Sequence, residues 1–374
     1  MSSISTFGQT ALRSAQLRSL ESSLATANAE LSTGKKQDVA KTIGVELINL
    51  QTIRNQFSEN QSFIQSIDLF DQRYDLIDSA FNEAVAGVDS LVAVGALNSG
   101  QARESAGTVP LVAASALDRI ITSLNIEFGG RQLFGGAVTD TAPFQLLDNA
   151  NTGGVSPNEL GEQITQGTTG VPGLGTTDLT AVSSVAEATE LLERFDDVFD
   201  GTNAANPAPA TQVFSFEQTI YNGELDGKLL SIRLPGNSVE TQINREFIQG
   251  IRDVFQGAYI LSNVDLEAIS DEDGYRELLT GEISGRDGAL DLIAKGLTAL
   301  RQARADLGLR AQTVEAARTN LEVQQVILNN QIVELEGVDR AEVTTRLLDL
   351  ETQLQASYTV TGRLAQLRLF NFVR

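Results

Sequence analysis

Residues 290–335 read LDLIAKGLTALRQARADLGLRAQTVEAARTNLEVQQVILNNQIVEL, and their spacing decides the fold. Leu290, Ile293, Leu297, Leu300, Arg304, Leu307, Ala311, Val314, Arg318, Leu321, Gln325, Leu328, Ile332 and Leu335 alternate at steps of three and four without a slip. That alternation puts them on one stripe of a helix, the seam of a coiled coil. An unbroken helix of this span is about 70 Å long and cannot bury its stripe against itself. It needs a partner of similar length. The Arg and Gln seam positions imply that part of the stripe is wet or meets polar groups on a neighbour.

The partner lies near the N-terminus. Leu50, Ile53, Phe57, Asn60, Ile64, Ile67, Phe70, Tyr74, Ile77 and Phe81 form a stripe at steps of three and four, with Asn60 as a single polar intrusion of the kind that sets register. The predicted core of the pair is Leu50, Ile53, Phe57, Ile64 and Ile67 against Leu300, Leu307, Val314, Leu321, Leu328 and Leu335. Outside this pair lie two more stripes. One is Leu17, Leu20, Leu24, Ala27 and Leu31, closed by a break at Ser32–Lys36 in which Gly34 reads as a helix stop. The other resumes after Gly337 as Val343, Leu347, Leu350 and Leu354, running on to Leu364 and Leu367.

Residues 135–288 differ in composition. They are rich in Gly, Thr, Asn and Pro, with loop-like runs at 151–154, 167–177 and 203–210. Residues 211–216 and 228–234 read as strands joined by a turn at Asn222–Gly223, and 184–199 and 241–261 read as helices. The expected fold is therefore mainly α: an elongated antiparallel coiled-coil rod of N- and C-terminal helices carrying an inserted α+β domain. Three levels are expected. Residues 1–36 with 338–374 form a terminal coiled coil that orders on assembly, 37–134 with 289–337 form a helical rod, and 135–288 form the insert.

Composition removes whole classes of function. The 374 residues include no Cys, His or Trp, so thiolate chemistry, disulfides and the commonest general base and metal ligand are gone together. A net charge of −22 opposes binding to nucleic acid. No run approaches the ~18 apolar residues of a membrane span, and the opening Met-Ser-Ser-Ile-Ser-Thr-Phe has neither the basic nor the apolar region of a secretory signal. Gly129-Gly-Arg-Gln-Leu-Phe-Gly-Gly136 lacks the Lys-Ser/Thr of a phosphate loop and reads as a tight turn. Asp271-Glu-Asp-Gly274 lacks the further ligands of a calcium loop and reads as an acidic turn. The sequence offers no catalytic residues, no metal ligands, no cofactor site and no small-molecule site. It reads as an assembly protein and not an enzyme.

Several motifs resemble the bacterial flagellin and hook–filament junction family. They are Ala29-Glu-Leu-Ser-Thr-Gly-Lys-Lys36 after a Leu-patterned helix, Phe134-Gly-Gly136 followed by Ala142-Pro-Phe144, and the stretch from Leu307 through Glu336-Gly-Val-Asp-Arg-Ala-Glu342. The ending Leu364-Ala-Gln-Leu-Arg-Leu-Phe-Asn-Phe372 is similar to that of the junction (FlgL-type) proteins. The family's Ser-Asp-Asp-containing segment after Leu-Ser-Thr-Gly-Lys is replaced here by Gln37-Asp-Val-Ala-Lys-Thr-Ile-Gly44. The resemblance implies an extracellular flagellar subunit exported unfolded by the flagellar type III system, without a cleaved signal. It implies as partners further copies of itself, other hook-associated proteins, flagellin and an export chaperone. A filament flagellin of the same family is the close alternative, and a displayed adhesin or binding module is the more distant one. The residues implied at the assembly interface are Leu17, Leu20, Leu24, Leu31, Leu347, Leu350, Leu354, Leu364 and Leu367.

Overall fold

The computed structural model describes residues 3–98, 106–150, 155–167, 175–199, 216–224, 231–240 and 245–372, with backbone alone at 3–7, 9–10, 97–98, 217, 218, 245 and 364–372. In chain order the elements are α1 (Ser3–Thr33), α2 (Val39–Ile43), α3 (Leu47–Asn98), α4 (Val109–Leu124), β1 (Glu127–Phe128), β2 (Arg131–Gln132), α5 (Pro157–Gln166), α6 (Val185–Phe199), α7 (Phe216–Thr219), β3 (Ser231–Leu234), β4 (Asn237–Glu240), α8 (Arg245–Asn263), α9 (Glu272–Thr280), α10 (Ala289–Glu336) and α11 (Arg340–Phe372). The chain is mainly α, and the sheets described are two-stranded hairpins. It forms two compact units, residues 1–64 with 319–374 and residues 65–318, and α3 and α10 contribute to both.

In the unit of residues 65–318, α3 and α10 run antiparallel, because partner numbers rise along one as they fall along the other. Arg304 Nε donates to Asp78 Oδ1 at 2.7 Å, Arg301 meets Asp89 at 3.3 Å, and Arg318 binds Asp68 at 2.9 Å and also Asp71. The seam arginines are thus taken up by carboxylates of α3 within the chain, where the sequence had left water or a neighbour open. Beside these ionic rungs Ile67, Phe70, Ile77 and Phe81 on α3 and Leu300, Leu307 and Val314 on α10 are all buried. Burial pushes the Asp71 carboxyl above its ordinary range, against the pull of Arg318.

The core of this unit extends from the α3–α10 seam through α4 and α8. Aromatic rings mark its path. Phe81 and Phe247 meet edge-on at 4.9 Å, with Phe134 5.4 Å from Phe247. Phe144 lies 5.3 Å from Tyr221 and 5.9 Å from Phe255. Such pairs add about 0.5–1.5 kcal/mol beyond their burial. The Phe134-Gly-Gly and Ala-Pro-Phe144 segments owe their spacing to this packing. A Cβ on Gly135 would sit 2.1 Å from the Val138 carbonyl. Asn125 grips the Phe144 backbone from both sides, donating to its carbonyl at 2.7 Å and accepting from its amide at 2.9 Å.

The hairpin of residues 135–288 falls elsewhere than the sequence reading placed it. Residues 211–215 lie outside the described residues, and Phe216 opens the short helix α7. Asn222–Gly223 does not join two strands. Tyr221 bridges Phe144 and Glu224 bridges Gly136, so this segment is bound to the Phe134–Phe144 region instead. The hairpin is β3–β4, turning through Pro235 and Gly236 (φ +78°), where Pro at the second position and a positive-φ Gly at the third suit a type II turn. Helices α6 and α8 occupy 185–199 and 245–263. Asp271 is the N-cap of α9, accepting from the Gly274 amide at 2.9 Å, so the Asp-Glu-Asp run belongs to a helix start.

Candidate assembly surface

The unit of residues 1–64 and 319–374 holds the terminal helices, and its geometry begins at two helix breaks. Helix α1 ends at Gly34, with φ +68°, and α10 ends at Gly337. The two breaks are tied together. The Lys36 amide donates to the Glu336 carbonyl at 2.8 Å, the Val338 amide to the Gly34 carbonyl at 3.2 Å, and the Lys36 ammonium to the Leu335 carbonyl at 2.9 Å. Carbonyls that each helix end leaves open are thereby satisfied by the other break.

Two carboxylates are buried at this joint. The Glu336 side chain is 3% exposed; its Oε1 accepts from Arg54 Nε at 2.7 Å and its Oε2 lies 3.5 Å from the Lys35 ammonium. Glu30 accepts from the Gln37 amide at 3.2 Å and lies 3.5 Å from Arg346 on α11. Arg54 stands on α3 and Arg346 on α11, so the joint links all four long helices. Charge-assisted bonds of this type contribute about 1.5–3 kcal/mol each. Glu336→Ala is expected to cost this unit about 2 kcal/mol and Glu336→Gln roughly half that. Hydrogen exchange at the Lys36 and Val338 amides checks it, since both should lose protection before α4 does.

Beyond the joint α1 and α11 pair antiparallel. Tyr358 donates to Glu21 Oε1 at 2.7 Å, which holds the phenol above its ordinary pKa. Ala27 and Val343 are buried, while Leu17, Leu20, Leu24, Leu31, Leu347, Leu350 and Leu354 are only partly covered. Leu364 and Leu367 lie on the backbone of α11, outside the described side chains. On the α3–α10 side of the unit Leu50, Ile53 and Leu321 are buried, while Phe57, Ile64, Leu328 and Leu335 are half-buried. Asn60 is also buried and donates to Gln324 at 3.3 Å, so the polar seam position has a polar partner.

The same unit leaves apolar surface uncovered. Between α1 and α11 runs an open groove of about 230 Å³ lined by Arg13, Gln16, Leu17, Ala356, Ser357, Val360 and Thr361. Val323, Val326, Ile327 and Val333 form a second stripe on α10 and are each more than half exposed. Sequence reading missed this stripe and the joint carboxylates. Val326 and Ile327, three and four residues after Val323, and Val333, seven after Val326, carry the signal for the stripe, but nothing local marks Glu30 or Glu336. Among the described residues no helix is long and apolar enough to cross a membrane.

No curated protein matches this chain. Residues 290–373, which take in α11 and all but the first residue of α10, match the family model of the bacterial flagellin C-terminal helical region. Of the four helices that meet at the joint, α10 and α11 thus lie in a region similar to the C-terminal helical region of bacterial flagellin, while α3 and α1, the partner of α11 in the terminal pair, lie outside the matched residues.

Proposed function

We propose that this chain is a hook-associated subunit that joins hook to filament, assembling through α1 and α11 with further copies and with other axial proteins. The observation that carries the assembly reading is the half-covered α1–α11 seam, of which α11 lies within the flagellin-like region. Two narrow helices cannot bury their own stripes, and the groove and the Val323–Val333 stripe leave room for neighbouring helices. The terminal pair, residues 1–36 with 338–374, is marginal in one copy and consolidates in the polymer. Residues 37–134 with 289–337 carry residues 135–288 on the outside. Leu17, Leu20, Leu24, Leu31, Leu347, Leu350, Leu354, Leu364 and Leu367 serve the contact between copies. Export through the flagellar type III channel and escort by an export chaperone belong to the same reading.

The junction role, as against a filament flagellin, is favoured by the Phe134-Gly-Gly…Pro-Phe144 segment and by the ending at 364–372. Disrupting the gene is expected to abolish swimming and leave intact hooks without filaments in electron micrographs. Quantifying the chain in purified flagella separates the two roles. A junction ring needs copies far fewer than the flagellin beside it. Comparable abundance would move the assignment to flagellin.

A further inference from the structure

Charge is divided very unevenly along this chain. Residues 135–288 hold 25 Asp and Glu against 7 Lys and Arg, a net of −18, whereas the other 220 residues hold 24 against 20, a net of −4. The structure sharpens the division, because four cations of the segment, Arg194, Arg252, Arg276 and Arg286, are taken up by partners within it. Arg194 is buried and donates to the carbonyls of Ile164 and Thr177 and to Glu190 at 2.6 Å. Arg286 spans Glu193 and Asp196 at 2.7 Å each, Arg276 meets Asp273 at 2.7 Å, and Arg252 lies 3.7 Å from Asp253. Many carboxylates are left on the surface, among them Asp140, Glu162, Glu224, Glu246, Glu267 and Glu272, all exposed. Asp197, raised by burial and by the neighbouring Glu193, registers the crowding of like charge.

We propose that residues 135–288 act as a like-charge spacer that sets the ionic strength at which copies of this chain associate. The proposal rests on the self-assembly reading above. Any polymer built through the terminal helices repeats the −18 segment once per subunit, and each subunit's helices, near neutral, add little repulsion of their own. Repulsion between such segments reaches about 30 Å at 0.01 M salt and about 10 Å at 0.1 M. Small cations therefore permit assembly, and dilute medium opposes it even where the helical contacts are intact. The same field keeps unassembled copies apart at high concentration and turns away anionic polymers.

The test uses the full chain and a variant carrying Asp140→Asn, Glu162→Gln, Glu224→Gln, Glu246→Gln, Glu267→Gln and Glu272→Gln, six exposed isosteric changes that take the chain from −22 to −16. Light scattering at about 0.01 M NaCl reads the second virial coefficient, and because repulsion scales with the square of the charge its electrostatic part should fall to about half. Sedimentation across a NaCl series reads polymer, and the variant should reach half-assembly at a salt concentration lower by roughly two-fold or more. An unchanged virial coefficient overturns the spacer. A reduced coefficient with an unchanged salt threshold also overturns it, yet leaves the self-assembly reading standing. Absence of polymer from both proteins at every salt concentration counts against self-assembly itself, and the threshold role goes with it.

Discussion

Gly296→Val is expected to destabilise the unit of residues 65–318 by about 3 kcal/mol or more, lowering its unfolding midpoint by roughly 6–12 °C. The cause is a contact between backbones. Helix α8 crosses α10 so closely that a Cβ on Gly296 would lie 2.4 Å from the Gly250 carbonyl oxygen and 2.6 Å from Val254 Cγ2. From the other side, a Cβ on Gly250 would lie 2.6 Å from that of Ala299, and one on Gly257 would lie 2.4 Å from the Ala289 carbonyl. Gly250 and Gly257 are seven residues apart, two turns along one face of α8. Neither backbone can yield without moving a whole helix, and the helices carry Phe247, Ile251, Val254 and Phe255 into the core. Gly296→Ala should already cost stability, although alanine is the better helix former. Gly362→Ala is the control: it lies on α11 with nothing within 4 Å of an added Cβ, and it should be neutral or mildly stabilising. Thermal unfolding of the three variants decides the point, and an unshifted Gly296→Val would refute the close crossing.

That contact also shows why some of this fold was legible in the sequence and some was not. The long helices could be read because each repeats one apolar choice many times, so Leu290 through Leu335 outvote any single exception. Gly250, Gly257 and Gly296 carry the opposite sign locally. Glycine inside a helix reads as weakness, and its use as a clearance for another backbone exists only once both helices are in place. The misplaced hairpin has a similar origin. Asn222–Gly223 is a strong turn signal, but Tyr221 and Glu224 were drawn to Phe144 and Gly136, contacts some 80 residues away that no local preference encodes. The joint was half legible. Gly34 and Gly337 announced the breaks, whereas Glu30 and Glu336 look like two more surface acids among many until Arg54 and Arg346 are brought to them from distant segments.

Removing residues 355–374 is expected to abolish polymerisation while leaving residues 65–318 folded. The cut deletes Tyr358 and its bond to Glu21, together with Ala356, Ser357, Val360 and Thr361, which form the α11 side of the groove. Leu17 and Leu20 on α1 would then face no partner within the chain, leaving the first half of α1 as an isolated segment rich in Ser, Gln and Thr. Isolated helices of about 12–15 residues are marginal in water, so this half should fray. Leu24, Ala27 and Leu31 would keep Val343, Leu347 and Leu350 opposite them, and the Glu30–Arg346 and Glu336–Arg54 contacts of the joint would survive. Loss should therefore be graded: helicity falls by the outer parts of α1 and α11, protection at the Lys36 amide persists, and the melting transition of residues 65–318 is unmoved. Electron microscopy and sedimentation read the polymer, and circular dichroism reads the rest. Normal polymer from the truncated chain would show that the outer seam is dispensable and move the assembly contact inward, to the Val323–Val333 stripe. Loss of the residue 65–318 transition would instead overturn the expectation that residues 65–318 fold without the outer parts of α1 and α11.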